Sequence, residues 1–216
     1  RACRAERLRS VAVSAGEHCA EPRGEFYRYM DAVNIDLKAF TDRFYRRICA
    51  GRLQPVLDTL KYIKHETDVW LEITNLMIPG ENDSPEETAQ MTSWIMRELG
   101  PDVPLHFTAF YPTHRMRDKP PTPPDTLRRA REIALGAGVR YVYTGNTYDP
   151  DGQTTYCHVC HEVLIGRVSY DIVQWNLSEE GTCRECGAPC AGVFESQPGD
   201  WGSRRLPVHL GDYVPA

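Results

Sequence analysis

Apolar residues along this chain alternate between two spacings. Short runs rich in β-branched and aromatic residues recur at 11–15, 32–38, 68–78, 105–111 and 140–144, and their length and composition predict strands. Helical spacing fills the intervals. In the segment 53–65, Val56, Leu57, Leu60 and Ile63 fall on one helical face. A helix is also predicted over 21–30, another from Ser84 to Leu99 and another over 125–137. Ser84-Pro85-Glu86-Glu87 is a strong helix start: Ser at the N-cap, Pro at the first helical position, and Glu87 placed to return the capping hydrogen bond. Pro79-Gly80 ends the third strand, and the Pro-rich stretch 119–124 is a loop.

Five strands alternating with helices require crossover connections, hence an α/β fold with a mainly parallel sheet. Such sheets collect their functional groups at the carboxyl ends of the strands. Here those ends are Ser14-Ala15-Gly16, Asp36-Leu37-Lys38, the stretch 75–79, Phe110-Tyr111-Pro112 and Thr144-Gly145-Asn146, all polar or turn-forming.

The cysteines change the picture beyond residue 148. Five of the eight lie between Cys157 and Cys190, a clustering that points to metal in a reducing cytoplasm and away from a secreted disulfide scaffold. Cys157-His158-Val159-Cys160 and Cys183-Arg184-Glu185-Cys186 are two CxxC knuckles separated by a hairpin-length segment. Two such knuckles facing each other complete a tetrahedral thiolate shell, and zinc is the expected ion. A ribbon this small depends on metal binding to fold. Cys190 leaves an alternative open, an auxiliary iron-sulfur cluster on Cys183, Cys186 and Cys190. His158 and His161 are further conceivable ligands, read as exposed knuckle positions. The expected division is 1–148 for the α/β part and 149–216 for the cysteine-rich ribbon and its tail.

Composition limits the partners. With 216 residues, 41% hydrophobic content and a formal net charge of -5, the chain reads as globular, and its Arg clusters sit among acidic residues instead of forming a basic stripe, which argues against nucleic acid. No apolar run is long enough to span a membrane. A soluble, cytoplasmic protein is expected. The sequence opens on Arg1 in what reads as the end of a helix, so a preceding segment is expected too.

Taken in order, the blocks VSAG (13–16), NIDLK (34–38), VWLEITNLMIPGENDS (69–84), PLHFTAFYPTHRMRD (104–118), YVYTGN (141–146) and CGAPCAGVFE (186–195) resemble the radical-SAM enzymes of the AmmeMemoRadiSam system, which are similar to the activating enzyme of pyruvate formate-lyase. The resemblance implies a partial (β/α)6 TIM-like barrel of the radical-SAM type, truncated at its N-terminus and followed by a zinc-ribbon-like module. It also implies a [4Fe-4S] cluster that binds S-adenosylmethionine and cleaves it reductively to a 5'-deoxyadenosyl radical, with a protein substrate or a Memo-like or AMMECR-like system partner. The family's CxxxCxxC and Gly-Gly-Glu motifs occur nowhere in this sequence, so the chain alone is expected to be inactive toward S-adenosylmethionine. Its first strand corresponds to an interior strand of the barrel and should present an uncovered, aggregation-prone edge.

The resemblance carries Ser14, Asp36 and Lys38 to a wall beside S-adenosylmethionine and Tyr111, in place of a more common His, to the adenine. Val13 stands where the activating enzyme has Asp. Asp36 and Lys38, at alternate positions, point to one side of their strand, where they suit a zwitterionic ligand or form a simple rim ion pair. Glu72, Asn75 and His106 are polar residues in apolar strands, able to enter the barrel or to sit as satisfied outward groups. His114, Arg115 and Lys119 read as a solvated loop. All four residues of the wall are expected in one concavity, with the ribbon packed away from it. The competing function is a non-enzymatic docking module built on the zinc ribbon.

Overall fold

The computed structural model describes residues 2–205 and Pro207; the rest of the tail assigned to the ribbon unit lies outside the described residues. After a short helix α1 (Ala2–Ala5), the chain runs β1 (Val11–Ser14), α2 (Ala20–Tyr27), β2 (Ala32–Asp36) and α3 (Asp42–Phe44). A π-helical turn (Tyr45–Cys49) then leads to α4 (Leu53–Glu66), β3 (Trp70–Met77), α5 (Pro85–Glu98), β4 (Leu105–Ala109), α6 (Pro124–Gly136) and β5 (Val142–Gly145). These five strands form one parallel sheet in the order β1-β2-β3-β4-β5. The α/β class and the parallel five-stranded sheet are as the spacing predicts. Boundaries move by a few residues, α2 being the shortest relative to expectation. The π turn, ended by Ala50 at φ 54, carries no apolar period that would have revealed it.

Strand side chains alternate between two environments. Val33, Ile35, Leu71, Ile73, Met77, Leu105 and Phe107 face the helices and are buried against Val56, Leu60 and Ile63 of α4, Met91 and Ile95 of α5, and Leu127 of α6. The other face of the sheet is concave and polar or aromatic. Strand β1 pairs with β2 alone, and its Val11 and Val13 are 68% and 78% exposed. That is the uncovered edge expected from the sequence.

The capping expectation at Ser84 holds by half. Ser84 Oγ accepts the Glu87 N–H at 3.1 Å, but the Glu87 carboxylate turns away from the cap and accepts the Phe40 N–H at 2.6 Å. An orphan donor in the β2–α3 connection competes for it and wins, because that contact also fastens α5 to the sheet.

The rim of the sheet is held by buried side chains that hydrogen-bond backbone. Asn82 Oδ1 accepts the Ile78 N–H at 2.6 Å, while its Nδ2 donates to Leu76 O at 2.9 Å and to Lys38 O at 2.5 Å. Asn75 Nδ2 donates to Leu37 O at 2.8 Å, and the Thr122 hydroxyl donates to Met77 O at 2.6 Å and accepts the Phe110 N–H at 2.8 Å.

Beyond β5, the short helix α7 (Pro150–Gln153) leads to a three-stranded antiparallel sheet of β6 (Thr155–Tyr156), β7 (Val163–Val168) and β8 (Asp171–Trp175). The β7–β8 hairpin is the one its sequence predicts. Its placement is not: the ribbon packs onto the concave face, where Tyr141 joins the ribbon's own core of Leu164, Ile165, Leu177 and Cys190. Two aromatic residues at alternate positions, Tyr141 and Tyr143, offer the ribbon an apolar landing surface on the side away from the helices, so burial draws it inward.

Replacing Asn82 by Ala removes three hydrogen bonds at a buried junction and should cost about 3 kcal/mol in urea denaturation of the metal-loaded protein. A loss below about 1 kcal/mol would mean that Asn82 does not bracket the rim.

Candidate functional site

Asp36 ends β2 on the concave side, and Lys38 lies two residues on. Lys38 Nζ meets Asp36 Oδ2 at 2.6 Å, with both side chains about one-third exposed. The Lys38 backbone is fixed on both sides: its N–H donates to the Tyr45 hydroxyl at 3.0 Å and its carbonyl accepts from Asn82. Burial pushes the Tyr45 phenol well above its usual range, so it stays neutral. Tyr111, exposed just past β4, donates its hydroxyl to Asn146 O at 2.9 Å, and Asn146 Nδ2 donates to Ala109 O at 3.2 Å. Asp36, Lys38 and Tyr111 thus occupy the same carboxyl-end rim, with β3 between the two sets.

Ser14 does not join them. It is paired with Ile35 in register and so shares that residue's helix-facing side; its hydroxyl contacts His18 Nε2 at 3.2 Å and accepts the Gly16 N–H at 3.1 Å. The period-two alternation of β1 sends Val11 and Val13 to the concave side and Ala12 and Ser14 to the other. Lys119 is also not the solvated group expected. It pairs with the buried Glu81 carboxylate at 2.6 Å, which Arg47 contacts as well. These three charges tie together the loops after β3 and β4 and the π turn. His114 and Arg115 remain exposed in the 111–123 loop.

A second polar group lies deeper on the concave face. Glu72 Oε2 meets His106 Nε2 at 2.7 Å, and Trp70 Nε1 donates to Glu72 Oε1 at 3.0 Å. The His106 ring stacks on Tyr143, with centroids 5.1 Å apart and planes 25° from parallel. The Tyr143 hydroxyl touches Thr155 Oγ1 at 2.8 Å, to which Arg167 of β7 also donates at 2.7 Å. Burial raises the Glu72 pKa, but the hydrogen bond and charge of His106, the Trp70 N–H and the Arg167 charge outweigh it and hold the carboxyl below its usual range. A carboxylate only accepts, so the shared proton sits on His106 Nε2. Asn75, three residues from Glu72, lies on the opposite, helix-facing side and bonds Leu37.

Glu72 and His106 were visible as polar residues in apolar strands. Trp70, Tyr143, Thr155 and Arg167 do not stand out in the sequence, though Trp70 and Tyr143 lie at strand-alternate positions to Glu72 and Tyr141, which signals a shared face. Arg167 gives no such signal. It and Ile165, two residues apart on β7, face the same hollow by ordinary strand alternation, but which face of the hairpin docks on the sheet is set by long-range packing.

The four paired cysteines converge. Cys157 Sγ lies 3.5 Å from Cys186 Sγ and Cys160 Sγ 3.7 Å from Cys183 Sγ, and all four sulfurs fall within 4.8 Å of one another. The knuckles are equivalent turns. Cys157 N–H donates to Glu162 O and His161 N–H to Cys157 O; Cys183 N–H donates to Ala188 O and Gly187 N–H to Cys183 O. Each turn passes through a left-handed residue just after its second cysteine, His161 at φ 63 and Gly187 at φ 76. For Cys157, burial raises the pKa, yet the N–H groups of Cys160 and Val159 prevail and bring it down to about 7. A set of four sulfurs at these separations suits a tetrahedral ion, whose metal–sulfur bonds of about 2.3 Å place the sulfurs roughly 3.8 Å apart. Cys190, His158 and His161 are outside this set. Cys190 is buried beside Tyr141, its thiol pushed up by burial. Among the described residues no other group of three metal-ligating side chains converges.

No family model matches the sequence. The uncharacterized protein MJ0808 of Methanocaldococcus jannaschii is 40% identical over 159 residues, covering 73% of this chain and 47% of that protein. The chain therefore spans about half the length of the curated relative it matches. Among solved structures, a domain of the pyruvate-formate lyase-activating enzyme from Bacteroides vulgatus aligns with a TM-score of 0.57 at 16% identity, covering 67% of this chain and 86% of that one. A radical SAM methyltransferase from Sphaerobacter thermophilus aligns with a TM-score of 0.53 at 13% identity, covering 64% and 41%. The likeness is one of fold. This parallel sheet with its covering helices is built like the partial barrels of radical-SAM enzymes. Within the described residues no helix is long and apolar enough to cross a membrane.

Two outcomes are expected. Purified protein should carry one ion per chain on the four paired thiolates, so elemental analysis should show metal lost from Cys160→Ser and kept in Cys190→Ser; equal loss from both would contradict this ligand set. For Glu72, a folded pKa below the unfolded value of about 4.3 means that its pairing stabilises the protein above that pH and ceases to do so as pH falls through the folded value. The gap in thermal stability between wild type and Glu72→Gln should thus be widest at neutral pH and narrow below about pH 4, and a constant gap would show that the pair does not titrate as described.

Proposed function

We propose that this chain is the later-strand part of a radical-SAM enzyme, whose whole form cleaves S-adenosylmethionine to a 5'-deoxyadenosyl radical and acts on a partner protein. The Asp36–Lys38 pair carries this reading. It stands on the concave side of a strand's carboxyl end, where parallel α/β sheets take ligands, and its backbone is pinned by Tyr45 and Asn82. An exchangeable carboxylate–ammonium pair suits the zwitterionic methionine end of S-adenosylmethionine, each charge swapping its neighbour for the ligand's opposite one. Tyr111, at the same rim, would stack on the adenine. Ser14 has no part in this wall.

The fold shared with the activating-enzyme domain and the ordered sequence blocks support the assignment. The cluster that supplies the radical chemistry needs cysteines that this sequence does not contain, and in this reading they belong to the remainder of the whole protein. Residues 1–148 form the barrel part and 149–216 the ribbon unit, whose four thiolates hold zinc in a closed structural site. The proposed location is the cytoplasm, where such thiolates stay reduced.

A docking role for the ribbon has its own support: Val159, Tyr170 and Val173 are exposed on it, an apolar surface suited to a protein partner. The two readings separate in one assay. With the whole protein's cluster reconstituted and reduced, 5'-deoxyadenosine should form, and Asp36→Ala should raise the S-adenosylmethionine concentration needed by roughly tenfold while leaving the ribbon metal in place. Absence of product from the whole protein would leave the docking role; full affinity in Asp36→Ala would reduce the pair to a rim ion pair.

A further inference from the structure

The ribbon does more than cap the sheet. Between β7 and the concave face lies a cavity of about 1170 Å³, just above the roughly 300–1,000 Å³ of small-molecule sites. It opens among Trp70, Glu72, His106, Tyr143, Arg167 and Phe194. Asp36, Lys38 and Tyr111 do not line it, though Asn146, whose carbonyl accepts the Tyr111 hydroxyl, does.

The charges in this cavity are unevenly satisfied. Both oxygens of Glu72 are taken, one by Trp70 and one by His106. His106 spends Nε2 on that contact, and its Nδ1 has no partner among the described residues. Arg167 gives Nη1 to two neutral acceptors, Gln153 O at 3.3 Å and Thr155 Oγ1 at 2.7 Å. No carboxylate among the described residues lies within ion-pair distance of it. A half-buried guanidinium with no carboxylate in direct contact, only the charge of Glu72 farther off, is better satisfied when an anion completes its fork. Strand alternation puts this side chain on the same side of β7 as Ile165, which also lines the cavity. Its guanidinium carbon lies 5.9 Å from the Tyr143 ring centroid, beside the His106–Tyr143 stack.

We propose that this cavity binds a small planar carboxylate, its anionic end taken by the Arg167 fork and its flat body lying against Trp70 and Tyr143. A guanidinium presents two parallel donors to a carboxylate, and the aromatic walls select a planar body over a branched one. A singly charged anion is required because the ionised Glu72 stands close by, and a phosphate dianion would meet its repulsion. The site does not rest on the radical-SAM reading: it is built from the concave face and the ribbon, and it needs neither S-adenosylmethionine nor a cluster.

Isothermal titration calorimetry of the metal-loaded full chain with benzoate, benzamide and phenyl phosphate tests this. Benzoate should bind, with benzamide and phenyl phosphate each weaker by roughly tenfold or more. Arg167→Gln should abolish the preference for benzoate over benzamide, and Arg167→Lys should keep part of it. Because Arg167 also braces Thr155, the wild-type comparison stands by itself if the variants fold poorly. No benzoate binding, equal affinity for benzoate and benzamide, tighter phenyl phosphate, or a preference that survives in folded Arg167→Gln would each overturn the proposal.

Discussion

A strand residue in this protein faces either the helices or the hollow, and that choice governs everything the sheet can do. Because the five strands are parallel and in register, one alternation runs across them all. Val33, Ile35, Leu71, Ile73, Leu105 and Phe107 fill the helix-facing side and hold the fold. The opposite set, from Val11 through Asp36, Glu72 and His106 to Tyr143, is left for chemistry. Asn75 and Ser14 show how strict the division is: chemically plausible site residues, both lie on the wrong side and serve as hydrogen-bonding struts.

The polar face is shaped from two ends. At the carboxyl rim, Asn82, Thr122 and Tyr45 hydrogen-bond loop backbone and leave the Asp36–Lys38 pair on a fixed platform. At the β5 side, the ribbon lays β7 over Tyr141 and Tyr143. That arrangement depends on the four thiolates, since a three-stranded sheet as small as β6–β8 has little core beyond Leu164, Ile165 and Leu177. Loss of the metal would therefore disturb the cavity wall as well as the ribbon, since Arg167 reaches the hollow only while β7 stays docked.

Much of this was legible in the residues. The strand and helix alternation, the hairpin and the four-cysteine set follow from local spacing, because each is decided within a few residues of chain; the parallel sheet follows from that alternation, and the open edge at β1 from the resemblance. Glu72 and His106 stood out as charges in apolar strands. What spacing did not supply was long-range competition. Glu87 abandons its own cap for the Phe40 N–H, 47 residues away in sequence. Lys119 leaves the solvent for the buried Glu81. The ribbon turns inward because Tyr143 in β5 and Tyr141 just before it offer apolar surface, and Arg167 is carried with β7 to the hollow.

On the reading proposed above, the concave side of the strand carboxyl ends, at Asp36 and Lys38, is the ligand-bearing surface. A crystal structure of the whole protein with S-adenosylmethionine bound would test it most directly. The methionine carboxylate and ammonium should lie beside Lys38 and Asp36, with the adenine toward Tyr111 and the ribbon metal still on its four thiolates. Density for the ligand on the helix-facing side near Ser14, or at the amino ends of the strands, would contradict the claim.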